Sequence, residues 1–197
     1  WTGHWKLGAI AVSMLLLAAR PADACAPVVE VRFIESGGGD IFTIANKSQS
    51  PLRLESLTIR LQESRGRLVF DTADGGPGYS MPQQFEAVGN EVGLVGAPVV
   101  GDGAEELRLE FKAFTAGRQF MFVIDVDDRL SQSDFGQAVV SGGEIEGAQA
   151  IAVLRAAGGS VATVRGEFKS DDPVGLIGAL GAGDVVLVKA SRSAGLE

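Results

Sequence analysis

Apolar residues recur at every second position in short runs along this chain, and clusters of Gly, Ser, Asp and Pro separate the runs. No run sustains a helical spacing for long, so the pattern predicts an all-β protein. In the cleanest run, residues 106–113, Leu107, Leu109 and Phe111 share one side while Arg108, Glu110 and Lys112 share the other. Side chains alternate across a strand, which makes the first side core and the second solvent. The same reading places strands at residues 28–34, 41–45, 52–61, 67–70, 84–88, 94–100, 119–126, 137–140, 148–154 and 161–168. Within 52–61 the apolar positions switch from Leu52 and Leu54 to Leu57, Ile59 and Leu61, so a β-bulge is expected near Glu55 and Ser56. About ten short strands at this spacing predict a two-sheet antiparallel β-sandwich, with the ten Phe residues as its filling.

One predicted strand ends unlike the others. In FVIDVDD, Phe122 to Asp128, the apolar positions Phe120, Phe122, Ile124 and Val126 share one face, and Asp125 and Asp127 share the opposite face. Asp128 follows at once, so three carboxylates fall within four positions. Like charges this close repel unless water, a cation or a donor offsets them. Two answers are open, a calcium ion or a solvated strand end. Calcium takes six to eight oxygens from carboxylates, carbonyls and water, and the loops at a sandwich end supply them. The expected ligands are Asp125, Asp127 and Asp128, joined by Asp71 at the start of a long loop and by Asp40 or Glu144. The spacing is not that of an EF-hand.

Composition narrows the chemistry. Lys6 precedes an apolar run from Leu7 to Ala19, and Ala22-Asp23-Ala24 supplies a small-x-small cleavage pattern, so residues 1–24 are expected to be a secretory signal and the mature chain to start at Cys25. An apolar core of about a dozen residues is too short to span a bilayer. Asp23 fits a lipoprotein signal poorly, and because the first residue is not Met a longer reading frame is expected. His4, Trp1 and Trp5 would leave with the signal, which removes histidine catalysis and nearly every zinc site from the mature chain. Cys25 alone forms no internal disulfide. The whole chain carries a net charge of −8, and loss of Lys6, Arg20 and Asp23 leaves 15 basic against 24 acidic side chains. That balance opposes nucleic acid and anionic lipid surfaces while favouring cations.

The remaining motifs have ordinary readings. The glycine-rich SGGGD from Ser36 to Asp40 lacks a following helix and any phosphate-loop pattern, so it is a hairpin turn. Asn46-Lys47-Ser48 matches a glycosylation sequon. The stretch 71–82, with three Gly and two Pro, is the longest irregular segment and belongs to the class of loops that are functional or mobile. Catalytic carboxylate pairs of the glycosidase kind would need a subsite that a mature chain without Trp or His does not line. Residues 25–169 form the expected single domain, and 170–197 a tail of separate character.

Five segments together carry a family resemblance. VEVRFIESGGGDIFTIAN at 29–46, LVFDT at 68–72, QQFEAV at 83–88, FVIDVDD, and VVSGGEIEGA at 139–148 run in order through roughly residues 28 to 155. Together they resemble the bacterial relatives of the sponge aggregation-factor core protein. The resemblance implies an exported module of cell-surface or matrix adhesion, with a matrix protein or glycan as partner and no catalytic residues. A separate stretch, GDVVLVKASRSAGLE at 183–197, resembles the C-terminal end of the ligase that extends the UDP-muramyl tripeptide. That ligase's ATP-binding loop and central domain are absent, so no ligase activity is expected. The sequence therefore predicts a secreted, extracellular or periplasmic, non-enzymatic β-sandwich, with calcium binding one of the two open answers for its acidic strand end. Its alternatives are a module acting on acidic polysaccharide and a structural envelope domain.

Overall fold

The computed structural model describes residues 28–49, 51–79 and 81–169 and the backbone of 185–189. Ten strands occur among them in chain order, β1 (Val29–Ile34), β2 (Asp40–Asn46), β3 (Leu52–Arg60), β4 (Val69–Asp71), β5 (Glu86–Val88), β6 (Glu106–Phe114), β7 (Gln119–Asp127), β8 (Gln149–Ala156), β9 (Val161–Glu167) and β10 (Val185–Lys189). They build two sheets, one ordered β10-β1-β2-β7 with β4 and β5 sharing the outer edge of β7, the other ordered β6-β3-β8-β9. This is the all-β two-sheet sandwich that the alternation predicts. Every pairing is antiparallel except β1 with β10, where the tail returns parallel to the first strand. The expected signal segment lies outside the described residues, and none of these contains a helix long and apolar enough to cross a membrane.

Period-two patterning decides which side chains meet between the sheets. Leu107, Leu109 and Phe111 are buried at 1 to 5% exposure, whereas Arg108, Glu110 and Lys112 stand in solvent. From the facing sheet come Phe33, Phe42 and Phe122, which are mutual register partners across β1, β2 and β7. Their rings lie 5.1 and 5.0 Å apart, so three strands are locked side by side by one row of aromatic contacts. Eight of the ten Phe residues are buried, Phe85 packs against the core from its edge, and Phe135 is 72% exposed in a loop. The all-Phe filling is corrected at that position.

The bulge sits where the phase flip places it. Leu54 pairs with Leu154 and Ser56 with Val153, so β3 carries one more residue than β8 at Glu55. Leu54, Leu57 and Ile59 consequently all reach the core.

Two expected strands are absent. In 94–100 only Leu94 bridges, to Phe111, after which Gly96 adopts a left-handed φ of 74° and Pro98 removes a donor, leaving Val99 fully exposed. In 137–140 the chain turns, with Val139 N–H bonded back to Gly136.

A buried amide closes one end of the sandwich. Asn46 Nδ2 donates to the carbonyls of Leu52 and Phe114, both at 3.0 Å, while its Oδ1 accepts from Ser48 N–H and Oγ–H. With Asn46 at 0% exposure and its nitrogen committed to two carbonyls, the sequon is a structural corner in the folded protein rather than a glycan acceptor.

Candidate metal centre

The opposite end of β7 carries the acidic residues. Val126 points into the core at 1% exposure, so alternation turns Asp125 and Asp127 to the other side of the sheet. On that side β4 lies alongside, and its register sets Asp71 directly opposite Asp125 and Val69 opposite Asp127. Three aspartates from two strands thus share one small area of sheet. One carboxylate oxygen from each of Asp71, Asp125 and Asp127 lies within 4.8 Å of the other two.

This face is not solvated. Asp71, Asp125 and Asp127 are exposed by only 2, 8 and 0%; Gly78 lies on Asp71, Tyr79 is bonded to Asp127, and 101–104 flank β4. The solvated strand end, one of the two readings open in the sequence, is corrected by this burial. Gly78 packs on the carboxyl of Asp71 and Gly76 on that of Asp102, so closely that a Cβ at either glycine would overlap the acid. Tyr79 N–H donates to Asp127 Oδ2.

Donors are nevertheless too few. Asp71 Oδ1, Asp125 Oδ2 and Asp127 Oδ1 are buried with no hydrogen-bond partner. No ion pair among the described residues involves any of the three; the arginines that pair do so with Glu30, Glu55, Glu105, Glu106, Glu110 and Glu146. Desolvation, with repulsion from Asp71 and Glu35, pushes the Asp125 carboxyl up to about 7. Asp127 rises to about 8, again chiefly through desolvation, with the Tyr79 N–H opposing. Asp71 is raised by burial and by its contact with Asp102. Asp102 moves the other way, held below the usual range mainly by the N–H of Thr72. Three full charges here would repel one another and leave one oxygen of each acid without a donor, a cost that protons or a cation would relieve.

The other expected ligands have different places. Asp128 is buried and its Oδ2 lacks a donor, but its Oδ1 accepts from Leu130 N–H at 2.8 Å and its carboxylate is not part of the convergence. Asp40 spends both oxygens on main-chain donors, Ser36 N–H and Val126 N–H, each at 3.0 Å, and so ties the glycine-rich turn to β7. Glu144 accepts from Ser133 Oγ–H, Asp134 N–H and Ser141 N–H, which makes it the organiser of its own loop. Sequence reasoning missed Asp102 and the main chain of Gly78 and Tyr79. For Gly78 and Tyr79 the one signal was the glycine-rich composition of 71–82; Asp102 had none.

Calcium–oxygen distances of about 2.3–2.6 Å place ligands on opposite sides of the ion about 5 Å apart, so oxygens spread within 4.8 Å fit one coordination shell. The hard, all-oxygen donor set matches calcium or magnesium rather than zinc or copper. No family model, curated protein or solved structure matches this chain.

Proposed function

We propose that this chain is a calcium-binding β-sandwich module of the extracellular surface or matrix, working through adhesion to a protein or glycan partner and not as an enzyme. One observation carries the reading. Three aspartates from two adjacent strands are buried together, each with an oxygen that no donor reaches. Burying unpaired carboxylates is costly, and a divalent cation among them both neutralises the charge and fills the missing coordination. Residues Asp71, Asp125 and Asp127 would hold the ion, with Asp128 outside the shell.

Calcium is favoured over magnesium because its larger, flexible shell suits ligands from a strand pair and a loop, whereas magnesium demands a tight octahedron. An extracellular setting supplies the millimolar calcium that weak modules of this kind use. The apolar run Leu7 to Ala19 with its Ala-x-Ala pattern, and the aggregation-factor resemblance, support export and adhesion.

Isothermal titration of calcium into metal-stripped protein tests the site. Saturable heat that is lost in Asp125→Asn/Asp127→Asn supports it; no saturable heat overturns it. Beads coated with the protein test adhesion separately. Clumping in calcium that reverses in chelator is expected, and dispersed beads in both conditions would reject the adhesive reading.

A further inference from the structure

Residues 76–79 rest on acids or on a turn that carries one. Tyr79 N–H is bonded to Asp127, Gly78 lies on the Asp71 carboxyl, Gly76 lies on the Asp102 carboxyl, and Pro77 packs against Gly103 in the turn that contains Asp102. A Cβ at Gly78 would overlap the Asp71 side chain down to its Cβ, so a larger residue there would push the segment off the acid. We infer that residues 75–79 form a strap whose seating on the sheet is coupled to cation binding by the aspartates beneath it, an inference that rests on the calcium-site reading above.

The physical argument concerns what the strap covers. Seated, it lies on Asp71 and is bonded to Asp127, two of the three aspartates that each keep a buried oxygen with no donor. When those groups are charged and metal-free, lifting the strap lets water hydrate them, so charge and closure oppose each other. A cation among the carboxylates removes the opposition. Closure then becomes favourable, and because coupling is reciprocal the closed strap also strengthens cation binding. The strap is thus the part of the domain whose position reports calcium, while the two sheets keep their packing in either state.

Tyr79 makes this measurable. It is the chain's single tyrosine, 42% exposed, so chymotrypsin has a cleavage point within the strap, and Phe135, 72% exposed on another loop, gives an internal control. The intact chain is stripped of metal and digested in chelator, in calcium and in magnesium, and the two cleavages are followed by mass spectrometry. The expected result is cleavage after Tyr79 slowed by about tenfold or more in calcium, less in magnesium, with cleavage after Phe135 unchanged. Gly78→Ala should be cut at the fast rate in every buffer, since its strap cannot seat. Hydrogen exchange at the Tyr79 amide, read in the unsubstituted protein, should be slowed by calcium in parallel. Saturable calcium heat with unchanged cleavage and exchange at Tyr79 would overturn the strap inference and leave the calcium site standing. Absence of both heat and protection would overturn the site itself, and the strap inference with it.

Discussion

Asp71 and Asp125 are direct partners across the β4–β7 pair, and each keeps one buried oxygen that no donor reaches. Opposed residues on one face of an antiparallel pair stand about 5 Å apart at Cβ, where like charges destabilise. In the proposed reading, a cation held between them would offset that repulsion.

Replacing Asp125 by Asn removes one charge and gives Asp71 an amide donor. The metal-free melting temperature should rise, while the increase produced by millimolar calcium should vanish. In the unsubstituted protein, calcium at about a hundred times its dissociation constant should contribute about 2.7 kcal/mol. Differential scanning calorimetry in chelator and in calcium checks both effects. A calcium shift that persists in Asp125→Asn would remove this residue from the site.

The pH dependence of the metal-free protein has a definite sign. Asp125 at about 7 and Asp127 at about 8 both lie above the ordinary aspartate value of 3.8, so the folded state keeps protons that the unfolded chain has lost. That stability is fully present below 3.8 and disappears as pH climbs through 7 and 8. Melting temperature in chelator should therefore fall across this window, and saturating calcium should flatten or reverse the slope. A metal-free profile that rises with pH would contradict the burial of these acids. Glu55, held near 2 by Arg155 and Arg53, titrates outside the window.

Asn46→Ala should destabilise strongly, because the carbonyls of Leu52 and Phe114 lose a buried donor at once. Each stranded carbonyl costs about 1–3 kcal/mol. Ser48→Ala should cost less, since Ser48 N–H still bonds to Asn46 Oδ1. Urea denaturation of the two variants orders the effects, and equal losses would place the corner elsewhere.

Within the core, Leu109→Ala and Phe122→Ala should each cost about 2–5 kcal/mol, as both side chains are almost completely buried. Arg108→Ala should stay within about half a kcal/mol. Chemical denaturation would show an error in facing if the arginine variant lost as much as the leucine variant.

Much of the scaffold was legible because alternation is a local signal. Leu107 to Lys112 names its own strand and face without reference to anything distant. The segment 94–100 misled for the opposite reason, since its Leu and Val residues imitate alternation while Gly96 and Pro98 forbid the ladder. The site was legible in part. Period two puts Asp125 and Asp127 on one side, but it also puts Asp128 on the other, and nearness in sequence concealed that. Asp71 became a partner through the register of β4 on β7, a long-range outcome of how the sheet closes. Asp102 gave no local signal, because its proximity to Asp71 arises across a separate turn.

The extra residue in β3 has an electrostatic consequence. Shortening the strand by one residue at Glu55 would bring Leu52, Leu54, Leu57 and Ile59 into a single uninterrupted alternation, so the insertion is not demanded by packing. What the insertion supplies is an anion. Arg53 and Arg155 are direct cross-strand partners, two positive groups facing each other, and the Glu55 carboxylate bonds to both at 2.8 and 2.6 Å. The irregularity works as an inserted counterion, placed by the backbone at the point where two strands would otherwise meet like charge to like charge.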